Sequence, residues 1–136
     1  MTLVLKKTDY ALMLAHARRC LPEEACGLIA GRRAEDGKRV EKVYLTANGD
    51  RSREHFSIDP QEQLGAVKDM RARGLVPLGN FHSHPETPAR PSPEDIRLAR
   101  DPSASYLILS LAGPEPELKS FHLESDLIRE EELILV

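Results

Sequence analysis

Leu75-Val76-Pro77-Leu78-Gly79-Asn80-Phe81-His82-Ser83-His84, then the run Pro85 to Pro93, then Asp95, is the stretch on which the fold turns. Its first ten residues alternate, which predicts a strand. Val76, Leu78, Asn80, His82 and His84 are expected to share one side of it. Positions i and i+2 of a strand lie about 6.5 Å apart, so two imidazoles there can lean toward one point. Four prolines, Pro85, Pro88, Pro91 and Pro93, follow within nine residues. That density excludes a helix or a central strand and predicts a stiff loop. Ser92 then caps a helix from Pro93 to Arg100, with Pro93 as its first residue.

Outward from this stretch, strands and helices intermix. Thr2 to Lys6 reads as a strand. Thr8 is expected to cap a helix whose inner face is Tyr10, Met13, Leu14, Ala17 and Leu21, ended by Pro22. Ala25 to Gly31 reads as a buried strand and Lys38 to Ala47 as another, with a turn at Gly37. After a turn at Asn48-Gly49-Asp50, Glu54 to Ile58 reads as a short strand. Asp59-Pro60-Gln61-Glu62 opens a helix by cap and capping box, with Leu64, Val67 and Met70 inward and Gly74 as its stop. Tyr106 to Leu111 is a central strand and Glu117 to Leu123 pairs back on it. Leu133 to Val136 is expected at an edge, and Glu130-Glu131-Glu132 as a solvated turn. The sum is a mixed α+β (α/β) fold, one curved mixed β-sheet flanked by helices, as a single domain over residues 1–136.

Composition excludes more than it names. The chain has 136 residues, 40% hydrophobic and 30% charged, with net charge -3. It holds no Trp, three Tyr and three Phe, so an aliphatic core is required. The near-neutral balance argues against a nucleic-acid partner. No apolar run is long enough to span a membrane, and Met1 to Lys7 does not read as a secretory signal. Cys20 and Cys26 make no disulfide framework, so the expected compartment is the cytoplasm with both thiols reduced.

The chemistry starts from His82 and His84. Zinc takes imidazole nitrogens at about 2.0–2.1 Å in a tetrahedron. Asp95, across the proline loop, offers a third ligand and leaves a position for water, as in catalytic zinc sites. Zinc lowers the pKa of water toward about 7. Glu23 and Glu24, entering the buried strand, supply a proton acceptor. Ser92 sits one helical turn from Asp95, where its hydroxyl can donate to a developing oxyanion. Each feature has a plain alternative. Ser92-Pro93-Glu94-Asp95 is also a capping box, and Glu23-Glu24 a polar helix end. A capping box leaves two in-register histidines before a rigid loop unexplained.

His82-Ser83-His84-Pro85, with Ser92 and Asp95 at their spacing, resembles the JAMM (MPN+) zinc metalloprotease motif. Pro22-Glu23-Glu24-Ala25-Cys26-Gly27-Leu28-Ile29-Ala30-Gly31 is similar to that family's P-x-E-A-C-G-L-x-x-G segment. The resemblance extends through Phe56, Asp59-Pro60 and the Tyr106 to Leu111 strand. It implies a JAMM/MPN-like domain that hydrolyses peptide or isopeptide bonds with one Zn2+ per chain. Metal ligands would be His82, His84 and Asp95. The resemblance selects Glu24 over Glu23 as the catalytic glutamate and gives Ser92 the role of hydrogen-bonding the tetrahedral intermediate. It is strongest to compact bacterial members. That implies a small ubiquitin-like sulfur-carrier protein with a C-terminal Gly-Gly as substrate and a monomer or homodimer as the assembly. An extended tail adding as a strand beside the site would suit such a substrate. Two alternatives are a non-catalytic MPN-type scaffold and a RadC-like DNA-associated protein. Zinc base deamination is excluded, because no PCxxC occurs.

Among the remaining candidates, His16 and His122 are expected in solvent. His55 is expected to be exposed or to line a substrate groove. Cys26 is read as a small core residue, and Arg90 as a weak candidate for meeting an acidic substrate.

Overall fold

The computed structural model describes residues 1–53, 56–125 and 127–136. In chain order the elements are β1 (Thr2–Leu5), α1 (Lys7–Cys20), β2 (Cys26–Ala34), β3 (Gly37–Thr46), α2 (Pro60–Ala72), β4 (Val76–His84), α3 (Pro93–Leu98), β5 (Ser105–Ser110), β6 (Glu117–Glu124) and β7 (Leu127–Leu135). The mixed sheet with helices against it is present, and it closes into a barrel in the order β1-β3-β2-β4-β5-β6-β7. Closure is made by β7, which pairs parallel to β1 from Thr2↔Glu132 to Leu5↔Leu135. The expected edge strand at Leu133 to Val136 is therefore a closing strand. It begins at Leu127, paired antiparallel with β6.

The core is aliphatic, as the composition requires. Leu3, Leu5, Ile29, Val40 and Leu107 fill it with Phe81, capped by Met13 of α1. α1 buries Met13 and Ala17. It starts without a side-chain cap at Lys6, so Thr8 lies inside the helix. Leu21 lies beyond its end and is exposed. Asp59 does cap α2, accepting from the Gln61 N–H at 3.0 Å. Glu62 makes no capping box; its carboxylate accepts from the Ala47 N–H at 3.1 Å and ties the helix to the end of β3. α2 turns Ala66 and Met70 inward and leaves Leu64 in solvent. α3 stops at Leu98, two residues short of expectation. Of the short strand expected at Glu54 to Ile58, the described part makes one bridge, Asn48↔Ile58. Residues 54 and 55 lie outside the described residues.

Two features decide which way side chains point. The β2–β4 ladder skips Leu78, passing from Ile29↔Gly79 to Ala30↔Pro77. Gly79 lies so close to Ser105 that a Cβ would strike its carbonyl. The irregularity turns Leu78 into the same core as Phe81. The expected row from Val76 to His84 is thus broken at Gly79, and Asn80, His82 and His84 form its remainder. The second feature is the acidic run, which lies in β7 and alternates. Glu131 points inward. Its Oε1 accepts from Ser105 Oγ at 2.6 Å and Ser120 Oγ at 2.8 Å, and its Oε2 from His122 Nε2 at 2.8 Å. Neither the solvated turn nor the solvent-facing His122 holds, because strand pairing leaves both groups facing the barrel. Lys38 Nζ completes the network, donating to Ser105 Oγ at 2.8 Å. Burial works to raise the Glu131 carboxyl, but the three donors hold it below the ordinary glutamate range. Among the described residues no helix is long and apolar enough to cross a membrane.

Candidate metal centre

His82 sits near the end of β4, between Cys26 of β2 and Ile108 of β5. Strand alternation brings His84 to the same side, and both rings are buried. Asp95 reaches them from the first turn of α3. The three polar atoms lie almost equidistant. His82 Nε2 is 3.1 Å from His84 Nε2 and 3.2 Å from Asp95 Oδ2, and His84 Nε2 is 3.3 Å from Asp95 Oδ2. Bonds of about 2.0–2.1 Å in a tetrahedron imply ligand separations of about 3.3 Å. The donor set therefore fits a zinc ion in spacing and chemistry.

The surrounding residues hold those atoms in the right form. His84 Nδ1–H donates to the Pro88 carbonyl at 2.9 Å, which directs the Nε2 lone pair toward His82 and Asp95. The proline loop thus positions a histidine as well as the carboxylate. Phe56 stacks on the His82 ring at 4.5 Å and 18°. Burial pushes the His82 imidazole below its ordinary pKa. Burial acts the same way on His84 but is outweighed by the Asp95 contact, leaving it raised. Asp95, despite burial, is held far below the carboxylate range by both imidazoles.

The Ser92-Asp95 capping box is present. The Asp95 N–H donates to Ser92 Oγ at 3.0 Å, and the Ser92 N–H to Asp95 Oδ2 at 2.9 Å. The box coexists with the histidine cluster. Asp95 Oδ2 takes both the cap and the imidazoles, so the structural and chemical readings of this segment describe one device.

Glu24 precedes β2 and is buried, whereas Glu23 is partly exposed. Its N–H donates to the Ser52 carbonyl at 2.7 Å, and Asn48 Nδ2 donates to its carbonyl at 3.1 Å. The register of β2 against β4 puts Ala25 beside Ser83 and hence Glu24 beside His84, whose ionisation it favours. The structure thus gathers His82, His84 and Asp95 in one cluster, with Ser92 hydrogen-bonded to Asp95 and Glu24 on the adjoining strand.

The other candidates fall outside it. His16 is not free in solvent. Its Nε2–H donates to the Thr46 carbonyl at 2.9 Å, and its ring meets Phe81 edge-on. Cys26 is a core residue hydrogen-bonded to Thr46, its thiol pushed up by burial to about 11. Arg90 is exposed. His55 lies outside the described residues. Sequence reasoning missed the roles of Pro88, Phe56 and Ser83. Ser83, between the two histidines, carried a signal as the residue that must face away from the site.

A family model for prokaryotic homologs of the JAB domain matches residues 7–124. The CysO-cysteine peptidase of Mycobacterium tuberculosis is 36% identical over 135 residues, 98% of this chain and 91% of its own. A probable TtuB-protein conjugate cleaving protease of Thermus thermophilus is 42% identical over 87 residues, 63% of this chain and 55% of its own. A solution structure of a protein from Desulfitobacterium hafniense superposes with a TM-score of 0.91 at 60% identity, covering 100% of this chain and 93% of that one.

Proposed function

Because this chain belongs to the prokaryotic JAB-domain family and is a hydrolase of the JAMM type, we propose that it is a zinc-dependent amidohydrolase. In this reading it cleaves adducts or trailing residues from the C-terminal Gly-Gly of a small ubiquitin-like carrier protein. The observation that carries the reading is the near-equilateral set His82 Nε2, His84 Nε2 and Asp95 Oδ2, with Glu24 beside it. The names of the two relatives, a CysO-cysteine peptidase and a TtuB-protein conjugate cleaving protease, support the substrate class.

His82, His84 and Asp95 would hold the zinc. When bound, zinc supplies Lewis acidity to the scissile carbonyl and makes water a nucleophile at neutral pH. Glu24 takes the proton of the attacking water and returns it to the leaving nitrogen as the C–N bond breaks. Burial of that carboxylate brings the transfer under the protein's control rather than the solvent's. The Ser92 oxygen accepts from the Asp95 N–H, which leaves its own hydrogen to donate to the carbonyl oxygen as charge builds there. The closed barrel alters one expectation about the tail. Each of the seven strands has a neighbour on both sides, which confines strand addition to stretches where a neighbour falls short, such as Lys42 to Thr46 of β3 beyond its pairing with β1.

The test uses the zinc-loaded chain and a carrier protein ending in Gly-Gly plus one further residue, followed by mass spectrometry. Loss of that residue, abolished in Glu24→Gln, is the expected result. An unchanged mass across carriers, with one zinc per chain, would refute the carrier-processing reading.

A further inference from the structure

A cavity of about 250 Å³ adjoins the metal cluster, with His82 and Asp95 on one wall. Leu98 and Ala99 from α3 and its end, Ile108 from β5 and Leu123 from β6 make it apolar. Asn80, two residues before His82 on the same side of β4, reaches it with an amide. Its Oδ1 is buried and has no hydrogen-bond partner among the described residues. A buried acceptor without a partner costs about 1–3 kcal/mol, a cost that a donor arriving with a ligand removes. The ionisable side chains on the described lining are Asp50, His82, Glu94, Asp95 and Tyr106, so no Lys or Arg is present there to meet an anion.

Under the proposed function the acyl side of the bond is Gly-Gly, which has no side chain to fill such a space. Of the residues that flank the bond directly, only the one whose amine departs has a side chain to place there. From these facts, and resting on that reading, we infer that the cavity is a specificity subsite for the leaving residue. It takes a medium aliphatic side chain or stem, and Asn80 Oδ1 accepts an N–H from the group that continues the substrate beyond it. A residue ending in a free carboxylate offers no such donor and meets Asp50 and Glu94 instead. The subsite therefore selects an amide-continued leaving group over a single free amino acid.

The test is NMR titration of the zinc-loaded full chain with three leaving-group mimics: leucinamide, leucine and glycinamide. Leucinamide should shift the Asn80 side-chain amide and the Ile108 methyls saturably. Glycinamide should bind about tenfold more weakly, for want of buried aliphatic surface, and leucine about fivefold more weakly, for want of the hydrogen bond. Asn80→Leu should erase the difference between leucinamide and leucine while keeping that between leucinamide and glycinamide. The isosteric Asn80→Asp retains the acceptor and should restore it. Leu98→Arg, on an exposed position of the rim, should reverse the preference toward leucine. Equal affinities for the three mimics, or shifts that bypass Asn80, overturn the subsite. Leucinamide binding at Asn80 by a chain that cleaves no Gly-Gly conjugate would overturn the carrier-processing reading and leave the pocket's binding preference standing. Cleavage without discrimination would do the opposite.

Discussion

Ala25 and Ser83 clasp each other across β2 and β4. The Ala25 N–H donates to Ser83 Oγ at 2.8 Å, and the Ser83 N–H returns to the Ala25 carbonyl at 2.9 Å. Ser83 lies between His82 and His84, and Ala25 follows Glu24. This one clasp fixes the proposed base relative to both imidazoles. Ser83→Ala should strand the buried Ala25 N–H, cost about 1–3 kcal/mol, and slow turnover while zinc content stays at one. Glu24→Gln should lose about 10²–10⁴ in kcat with stability nearly unchanged. Zinc analysis and single-turnover rates separate the two. A Glu24→Gln enzyme with full activity would dismiss Glu24 as base.

Ser92 carries two roles that one substitution can part. Glycine is nearly as good an N-cap as serine, so Ser92→Gly should cost only a few tenths of a kcal/mol. Loss of the hydroxyl donor should lower kcat about 10²-fold. Thermal melts beside kinetics decide it. If activity falls only as far as stability does, Ser92 is a cap and nothing more.

Asp95 serves the cap and the cluster through one oxygen. Asp95→Ala should lower zinc affinity at least about tenfold and also cost roughly 1 kcal/mol in melting. Chelator competition measures the first effect and denaturant unfolding the second. Unaltered zinc retention in this variant would remove Asp95 from the ligand set.

Glu131 makes stability depend on pH. Its folded-state pKa lies below the ordinary value, so its contribution is present above that value and is lost as pH falls through the folded one. Melting temperature should fall as pH drops below the ordinary glutamate range. Glu131→Gln should be less stable at neutral pH, by about 1–3 kcal/mol, and should flatten that acid limb. An unchanged limb would assign the acid sensitivity elsewhere.

Cys26, with its thiol pushed up to about 11, should resist alkylation at pH 8 until the chain unfolds. Peptide mass mapping after timed iodoacetamide treatment checks this. Rapid labelling of folded protein at Cys26 would contradict its place in the core.

The sequence made the site more legible than the barrel. His82, His84, Ser92 and Asp95 lie within fourteen residues, where local periodicity and loop stiffness govern geometry. Glu24 came from a motif, and its register against β4 could not be read locally. What escaped depends on distant pairing. Glu130, Glu131 and Glu132 are chemically identical in sequence, and only β6 and β1 on either side determine which one turns inward. His122 was misplaced for the same reason, since its partner sits on the neighbouring strand. Gly79 shows the limit of alternation, because one residue pressed against Ser105 reversed the phase of everything before it. Pro88 fixes His84 through a backbone carbonyl, a group every residue has and no sequence flags.

The pairing of β1 with β7 also sets a timetable. Thr2 reaches its partner Glu132 across 130 residues, which also share a side-chain hydrogen bond. Contacts of such sequence separation slow folding, because the loop must close before they contribute. On a ribosome, the first strand emerges long before the one that completes it. Until then β1 presents an unpaired flank, the kind of surface that invites other chains to add themselves. The candidate metal-binding segment ends at Asp95, so its residues are made well ahead of closure. Variants that weaken β7 should therefore show themselves first as poor yield during synthesis, before any loss of catalysis in the molecules that finish.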